Sequence, residues 1–124
     1  MSQDTISDAL NKIMNAKRAR KDSVELRYHS KLLLSVLAIA KLKGYISSYK
    51  VQNNKLIVEI DKLNYCKAVK PRYTVKSDEI EKYERRYLPA KNFGIIILST
   101  SKGLMTHQTA KENKVGGSII AYFY

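Results

Sequence analysis

The chain has 124 residues, room for one domain or two very small ones; a chain of this size buries roughly two-thirds of its unfolded surface and needs no staples. Its 44% hydrophobic and 27% charged residues are ordinary for a globular protein, but 23 Lys and Arg against 11 Asp and Glu leave a net charge of +12, which draws phosphates and anionic surfaces by long-range attraction. No apolar run approaches the roughly 20 residues that span a bilayer, Met1-Ser2-Gln3-Asp4 lacks the basic and apolar regions of a signal peptide, and the single Cys66 permits neither an internal disulfide nor a cysteine-rich zinc site. The composition therefore predicts a soluble, intracellular protein whose first partner is nucleic acid, with an anionic membrane as the second reading.

Asp4 can cap a helix in which Ile6, Ala9, Leu10, Ile13 and Met14 fall on one face. Lys12, Lys17, Arg18, Arg20 and Lys21 run along that helix and into the segment after it; such a cluster either grips phosphates without reading bases or is a solvated face. Val24 to Tyr28 alternates apolar and polar residues as a short strand does. Ser30 is the predicted N-cap of a second helix, rich in Leu, Ile and Ala, that stops at Gly44. Tyr45 to Val51 and Leu56 to Ile60 read as two strands joined through Asn53-Asn54.

Periodicity fades between Asn64 and Val69, which sets a border: residues 1–64 form one α+β subdomain and residues 65–124 a second. The second opens with a short strand at Pro71 to Val75, then a charged helix from Ser77 to about Arg86, halted before Pro89. Glu79, Glu81 and Glu84 alternate there with Lys82, Arg85 and Arg86, the pattern of a solvent-facing helix with i,i+4 pairs. Phe93 to Leu98 is apolar enough to be a buried strand, a helix is predicted from Thr106 to about Asn113, and after Gly116-Gly117 a final strand runs from Ser118 to Tyr124. The predicted class is α+β: helix-strand-helix-strand-strand, followed by mostly antiparallel sheet with short helices.

Chemistry concentrates in the turn Ser99-Thr100-Ser101-Lys102-Gly103, between the apolar strand and Leu104-Met105-Thr106, where a helix can start. Hydroxyls can donate to phosphate oxygens and both donate to and accept from a ribose 2′-OH. Lys102 adds a point charge, Gly103 permits close approach, and a helix N-terminus near Thr106 would aim its free N–H groups at the same space. Equally, the hydroxyls can serve only to satisfy the turn and cap the helix. The Walker spacing is absent, so nucleotide hydrolysis has no support. Nine tyrosines read mainly as amphipathic core residues; Tyr73, between Arg72 and Thr74, is either a base-stacking residue or part of the core. His29 and His107, the only histidines, lie in no metal spacing, and His107 is a ligand, a base or an ordinary surface histidine. Cys66 reads as a small buried side chain. No cofactor or metal is expected, and the enzyme-class alternative is a small nuclease using His29 or His107.

The segment Gly94 to His107 (GIIILSTSKGLMTH), followed by Gly116-Gly117, closely resembles the family of the eighth protein of the small ribosomal subunit, over nearly the whole chain. Asp4 to Ala16 (DTISDALNKIMNA), Ser30-Lys31-Leu32, Gly44-Tyr45-Ile46, Lys70-Pro71-Arg72-Tyr73 and Leu88-Pro89-Ala90 extend the likeness. The charged stretch Asp78 to Arg86 resembles the archaeal and eukaryotic cytosolic branch, and Ser118 stands where bacterial members carry a glutamate. The resemblance implies a non-enzymatic, cytoplasmic constituent of the small subunit: a primary rRNA-binding protein of the central domain that supports assembly and translation beside neighbouring small-subunit proteins, with no membrane, cofactor or small-molecule substrate. By position it implies RNA contacts from Ser99, Thr100, Ser101, Lys102 and Gly103, from Asp4, Thr5, Asn15 and Lys31, and from Arg72 and Tyr73 at the junction. Gly116 and Gly117 would serve close backbone approach or only the turn into the last strand. The regulatory alternative is binding to its own mRNA through a fold like the rRNA site.

Overall fold

The computed structural model describes residues 5–27, 30–70, 74–90 and 93–124. Asp4, Tyr28, His29 and Pro71 to Tyr73, all part of the expectations above, lie outside the described residues. The chain divides into two compact units, Met1–Cys66 and Lys67–Tyr124.

In the first unit, α1 (Thr5–Arg18) buries Ile6, Ala9, Leu10, Ile13 and Met14 along one face and leaves Lys12 and Asn15 exposed. β1 (Ser23–Leu26) follows. α2 (Lys31–Leu42) starts where predicted, because the Ser30 hydroxyl accepts the Leu33 N–H at 3.1 Å. It stops because Gly44 adopts φ +90 and donates its N–H to the Lys41 carbonyl. β2 (Ile46–Gln52) and β3 (Lys55–Ile60) are joined by Asn53 and Asn54 at φ 54 and 63, the twisted two-residue hairpin turn that suits asparagine. The sheet order is β1-β3-β2, all antiparallel, with α1 packed on β1 and β3 and α2 on β2. Leu26, Leu33, Leu37, Ile46, Leu56 and Val58 are each at most 2% exposed, and each such side chain contributes about 1.5–3 kcal/mol.

The second sheet is built from β4 (Cys66–Ala68), which begins at the border, β5 (Thr74–Val75), β6 (Ile95–Thr100), β7 (Gly103–Thr106) and β8 (Gly117–Phe123). Its order is β4-β8-β6-β7, with β5 also paired to β8. Helix α3 (Ile80–Tyr87), entered through one 3-10 turn at Ser77–Glu79, and α4 (His107–Asn113) complete the unit. Ile96 and Leu98 of β6 cluster with Ile119, Ile80, Leu88 and Ala110, from β8 and the α3 and α4 region. Ile120 is the extra residue of a bulge, since Ile97 pairs with Ala121 and Leu98 with Ile119.

Two strands went unread in the sequence. β4 has three residues with only Lys67 exposed between buried neighbours, too short for alternation to show. β7 occupies Leu104 to Thr106, read as a helix start; pairing with β6 overrides that local preference. The solvent-facing pattern of the charged helix also fails at one position, because Glu84 is 4% exposed.

Cys66 is buried, its thiol directed to the Leu10 carbonyl at 3.8 Å, and burial pushes its ionisation up to about 12. Between roughly pH 9 and that value an unfolded chain ionises where the folded one does not, so alkali favours unfolding through this group. At pH 8 the folded chain should be alkylated by iodoacetamide roughly a hundredfold or more slowly than the urea-unfolded chain, because only the thiolate reacts. Equal rates would contradict the burial.

Candidate nucleic-acid interface

Thr100 pairs with Gly103, so Ser101 and Lys102 alone form the tip of a β6–β7 hairpin. Neither tip residue has positive φ, whereas Gly103 sits at φ +106, the combination of a type I turn closed by a left-handed residue. The Thr100 hydroxyl donates to the Gly103 carbonyl at 2.8 Å and accepts the Lys102 N–H at 3.1 Å. That hydroxyl therefore does what the structural reading of the turn requires. Ser99, Ser101 and Lys102 are exposed, and a Cβ on Gly103 would meet nothing within 4 Å. Glycine supplies the positive φ here, and the space in front of it is open.

The helix expected from Thr106 is present as α4 (His107–Asn113), but its N-terminus does not lie at the turn. β7 intervenes, and its four residues extend over roughly 13 Å at the usual strand rise. α4 begins only at His107, capped by Thr106, whose hydroxyl accepts the Thr109 N–H at 3.3 Å.

Behind the tip, Thr74 of β5 pairs with Ser118 of β8, Ser118 with Ser99 of β6, and Ser99 with Leu104 of β7. Residues paired across antiparallel strands share a face, so Thr74, Ser118 and Ser99 form a row of three hydroxyl side chains leading towards the hairpin. Thr74 and Ser99 are exposed and Ser118 is half-buried. Sequence reasoning missed Thr74 and Ser118, because only strand register brings positions so distant in the chain to one row.

The glycine pair makes this register possible. A Cβ on Gly117 would collide with the Ser99 carbonyl oxygen and stand 2.9 Å from Thr100 Cγ2; one on Gly116 would collide with the Val75 carbonyl. The backbone that both glycines approach closely here is the protein's own, and the pair also leads into β8.

In the first unit, Thr5 is the half-buried first residue of α1 and Lys31 the exposed first residue of α2. Asn15 lines a cavity of about 370 Å³ between α1 and β1, together with Lys12, Lys21, Ser23 and Glu25. Glu25 is paired with Lys55 at 2.9 Å, so the charge presented to the cavity is dominated by the two lysines. Asp4, Arg72 and Tyr73 lie outside the described residues.

His107 is not the surface residue expected. It is wholly buried, and its Nδ1 accepts the Ile96 N–H at 3.1 Å. Its Nε2 faces Glu84 Oε2 at 3.4 Å, and Glu84 Oε1 accepts from Lys111 Nζ at 3.1 Å. Among the described residues, no group of three or more His, Cys, Asp or Glu side chains could hold a metal ion, and no helix is long and apolar enough to cross a membrane. Tyr83, Tyr87, Tyr122 and Tyr124 line the rim of the core as a chain of ring contacts, as the amphipathic reading expects.

The family model described as ribosomal protein S8 matches residues 4–124. The chain belongs to the ribosomal protein S8 family. The small ribosomal subunit protein uS8 of Nanoarchaeum equitans (strain Kin4-M) is 43% identical over 129 aligned residues that cover all of both chains. This archaeal relative accords with the branch indicated by the Asp78 to Arg86 segment. An S8-family chain is a structural ribosome component and not an enzyme, which disposes of the nuclease alternative.

Gly117→Ala should cost about 1–3 kcal/mol, the usual penalty for overpacking, seen as a lowered Tm with displaced Ser99 and Thr100 amide resonances. An unchanged Tm would mean that the β6–β8 contact tolerates a side chain.

Proposed function

We propose that this chain is a structural constituent of the small ribosomal subunit and a primary rRNA-binding protein, taking the central domain of small-subunit rRNA, supporting assembly and translation, and working in the cytoplasm beside neighbouring small-subunit proteins. The observation that carries this reading is the hairpin tip: Ser99, Ser101 and Lys102 exposed around an open Gly103, in a chain of net charge +12.

The division of labour follows from the shape of RNA. A double-helical segment hides its base edges in a deep, narrow major groove and offers a wide, shallow minor groove lined with 2′-hydroxyls. Short hydroxyl side chains reach a shallow surface without buckling, and they can donate or accept as the ribose requires. Ser99 and Ser101 supply such contacts, Thr100 keeps the tip in shape, and Lys102 reaches a phosphate. Thr74 and Ser118 continue the same surface away from the tip. In the first unit, Asn15 with Lys12 and Lys21 offers an amide and two cations to the backbone of the RNA, and Thr5 and Lys31 add contacts. The remaining lysines and arginines raise affinity without regard to sequence.

The test is binding of the purified chain to a central-domain rRNA fragment across a salt series. A hydroxyl bonded to a charged phosphate is worth about 1.5–3 kcal/mol, so Ser101→Ala should weaken binding at least about tenfold while leaving the salt slope unchanged. Lys102→Ala should also lower that slope by about one unit. If neither substitution alters binding, the hairpin is not the contact.

A further inference from the structure

We propose that Glu84, His107 and Lys111 form a buried positioning cluster that holds the base of the β6–β7 hairpin, and that it does so only while the His107 ring carries a single proton. The inference rests on the reading of the hairpin as an RNA contact.

Strand register shows what the ring replaces. Leu98 pairs with Met105 and Ile97 with Thr106, so the next partner of Ile96 would be residue 107. There the chain leaves the sheet: Thr106 caps α4, and His107 is the first residue of the helix. The Ile96 N–H points to the side that β7 has vacated, and the imidazole Nδ1 of His107 accepts it at 3.1 Å. A side chain thus adds one rung to the ladder after the backbone has turned away.

An Nδ1 that accepts a hydrogen bond carries no proton, so the proton of the neutral ring sits on Nε2. Nε2 faces Glu84 Oε2 of α3 at 3.4 Å, and the other Glu84 oxygen takes Lys111 Nζ of α4 at 3.1 Å. The carboxylate thus stands beside the ring, and its bond to Lys111 joins α3 to α4. Glu84 from α3 faces the ring with its charge, itself bonded to Lys111 of α4, and the titratable Tyr83 and Tyr87 of α3 and Tyr122 and Tyr124 at the end of the chain pack against the same core. Glu79 in the 3-10 turn accepts the N–H of its own Lys76, the Thr106 hydroxyl is directed to Thr109, and β6 and β8 bring apolar Ile96, Leu98 and Ile119 to the same core. A second proton can enter only at Nδ1, where it would confront the Ile96 N–H, donor against donor, in a site with no exposure to water. Charging the ring must break that rung, and the hairpin carrying Ser101 and Lys102 then loses the tie at its base.

The experiment follows the full chain from pH 8 to pH 5 by imidazole ¹⁵N resonances and amide exchange, alongside affinity for the central-domain rRNA fragment. Near pH 7 the ring should be the neutral Nε2–H form with the Ile96 amide protected. As acid charges the ring, that protection should fall, exchange at Thr100 to Gly103 should quicken, and affinity should drop by about fivefold, the scale of one placing hydrogen bond. His107→Gln, whose amide oxygen can accept from Ile96 without titrating, should keep the pH 7 affinity and show a flat profile, with His29 still present as an internal control. A ring protonated on Nδ1, an Ile96 amide still protected after the ring has charged, or identical acid profiles for the two chains would overturn the proposal. Should the Gln variant fold badly, the wild-type resonances and exchange rates decide alone. Absence of RNA binding at every pH would defeat the RNA reading, and exchange at Thr100 to Gly103 would still decide whether the cluster positions the hairpin.

Discussion

No side chain fits between Gly117 and the carbonyl of Ser99, and the hairpin end of the second unit depends on that contact. It lets β8 lie flush against β6 at the point where β6 stops being core and becomes surface. From there the register fixes what is presented: Ser118 beside Ser99, Thr74 beside Ser118, and the tip formed by Ser101 and Lys102 beyond them. Gly116 plays the same part against Val75, where β5 joins the sheet. Adjacent glycines are costly to fold because they surrender much conformational entropy on leaving the unfolded chain. Their place here is explained by packing against the protein's own backbone, with no ligand needed.

The hairpin is anchored from its core end as well. Ile95 to Leu98 are each 4% exposed or less, so β6 cannot shift along its partners without dragging apolar side chains into water. The polar cluster of Glu84, His107 and Lys111 adds a directional tie to that apolar one. A rigid base and a small tip suit the proposed placement on a shallow RNA surface by a few short contacts. Charge is spread differently: the excess of Lys and Arg over Asp and Glu is distributed through both units. On the proposed RNA reading, affinity and placement come from different residues, and a charge change remote from the hairpin should alter the former without moving the latter.

Much of this was legible in the sequence wherever local chemistry decides local structure. The spacing of Ile6 to Met14, the Ser30 cap, the Gly44 stop and the Asn53-Asn54 turn each act within a few residues, and each element lies close to where those signals put it. What escaped depends on partners far along the chain. Leu104 to Thr106 became a strand because β6 was available to pair with it. Glu84 looked solvent-facing because its neighbours Lys82, Arg85 and Arg86 are, yet it points at a histidine more than twenty positions away. Thr74 and Ser118 carry no motif at all and join the candidate surface through register alone. The turn itself stood out through its composition, but which of its hydroxyls are engaged internally was visible only in the bonds made by Thr100.

The most direct test of the central claim is a titration of the ¹⁵N-labelled chain with a central-domain rRNA fragment, read residue by residue. The account predicts the largest amide shifts at Ser99, Ser101, Lys102 and Gly103, with smaller ones at Thr74 and Ser118. Binding that leaves those six amides unmoved while shifting others would contradict it.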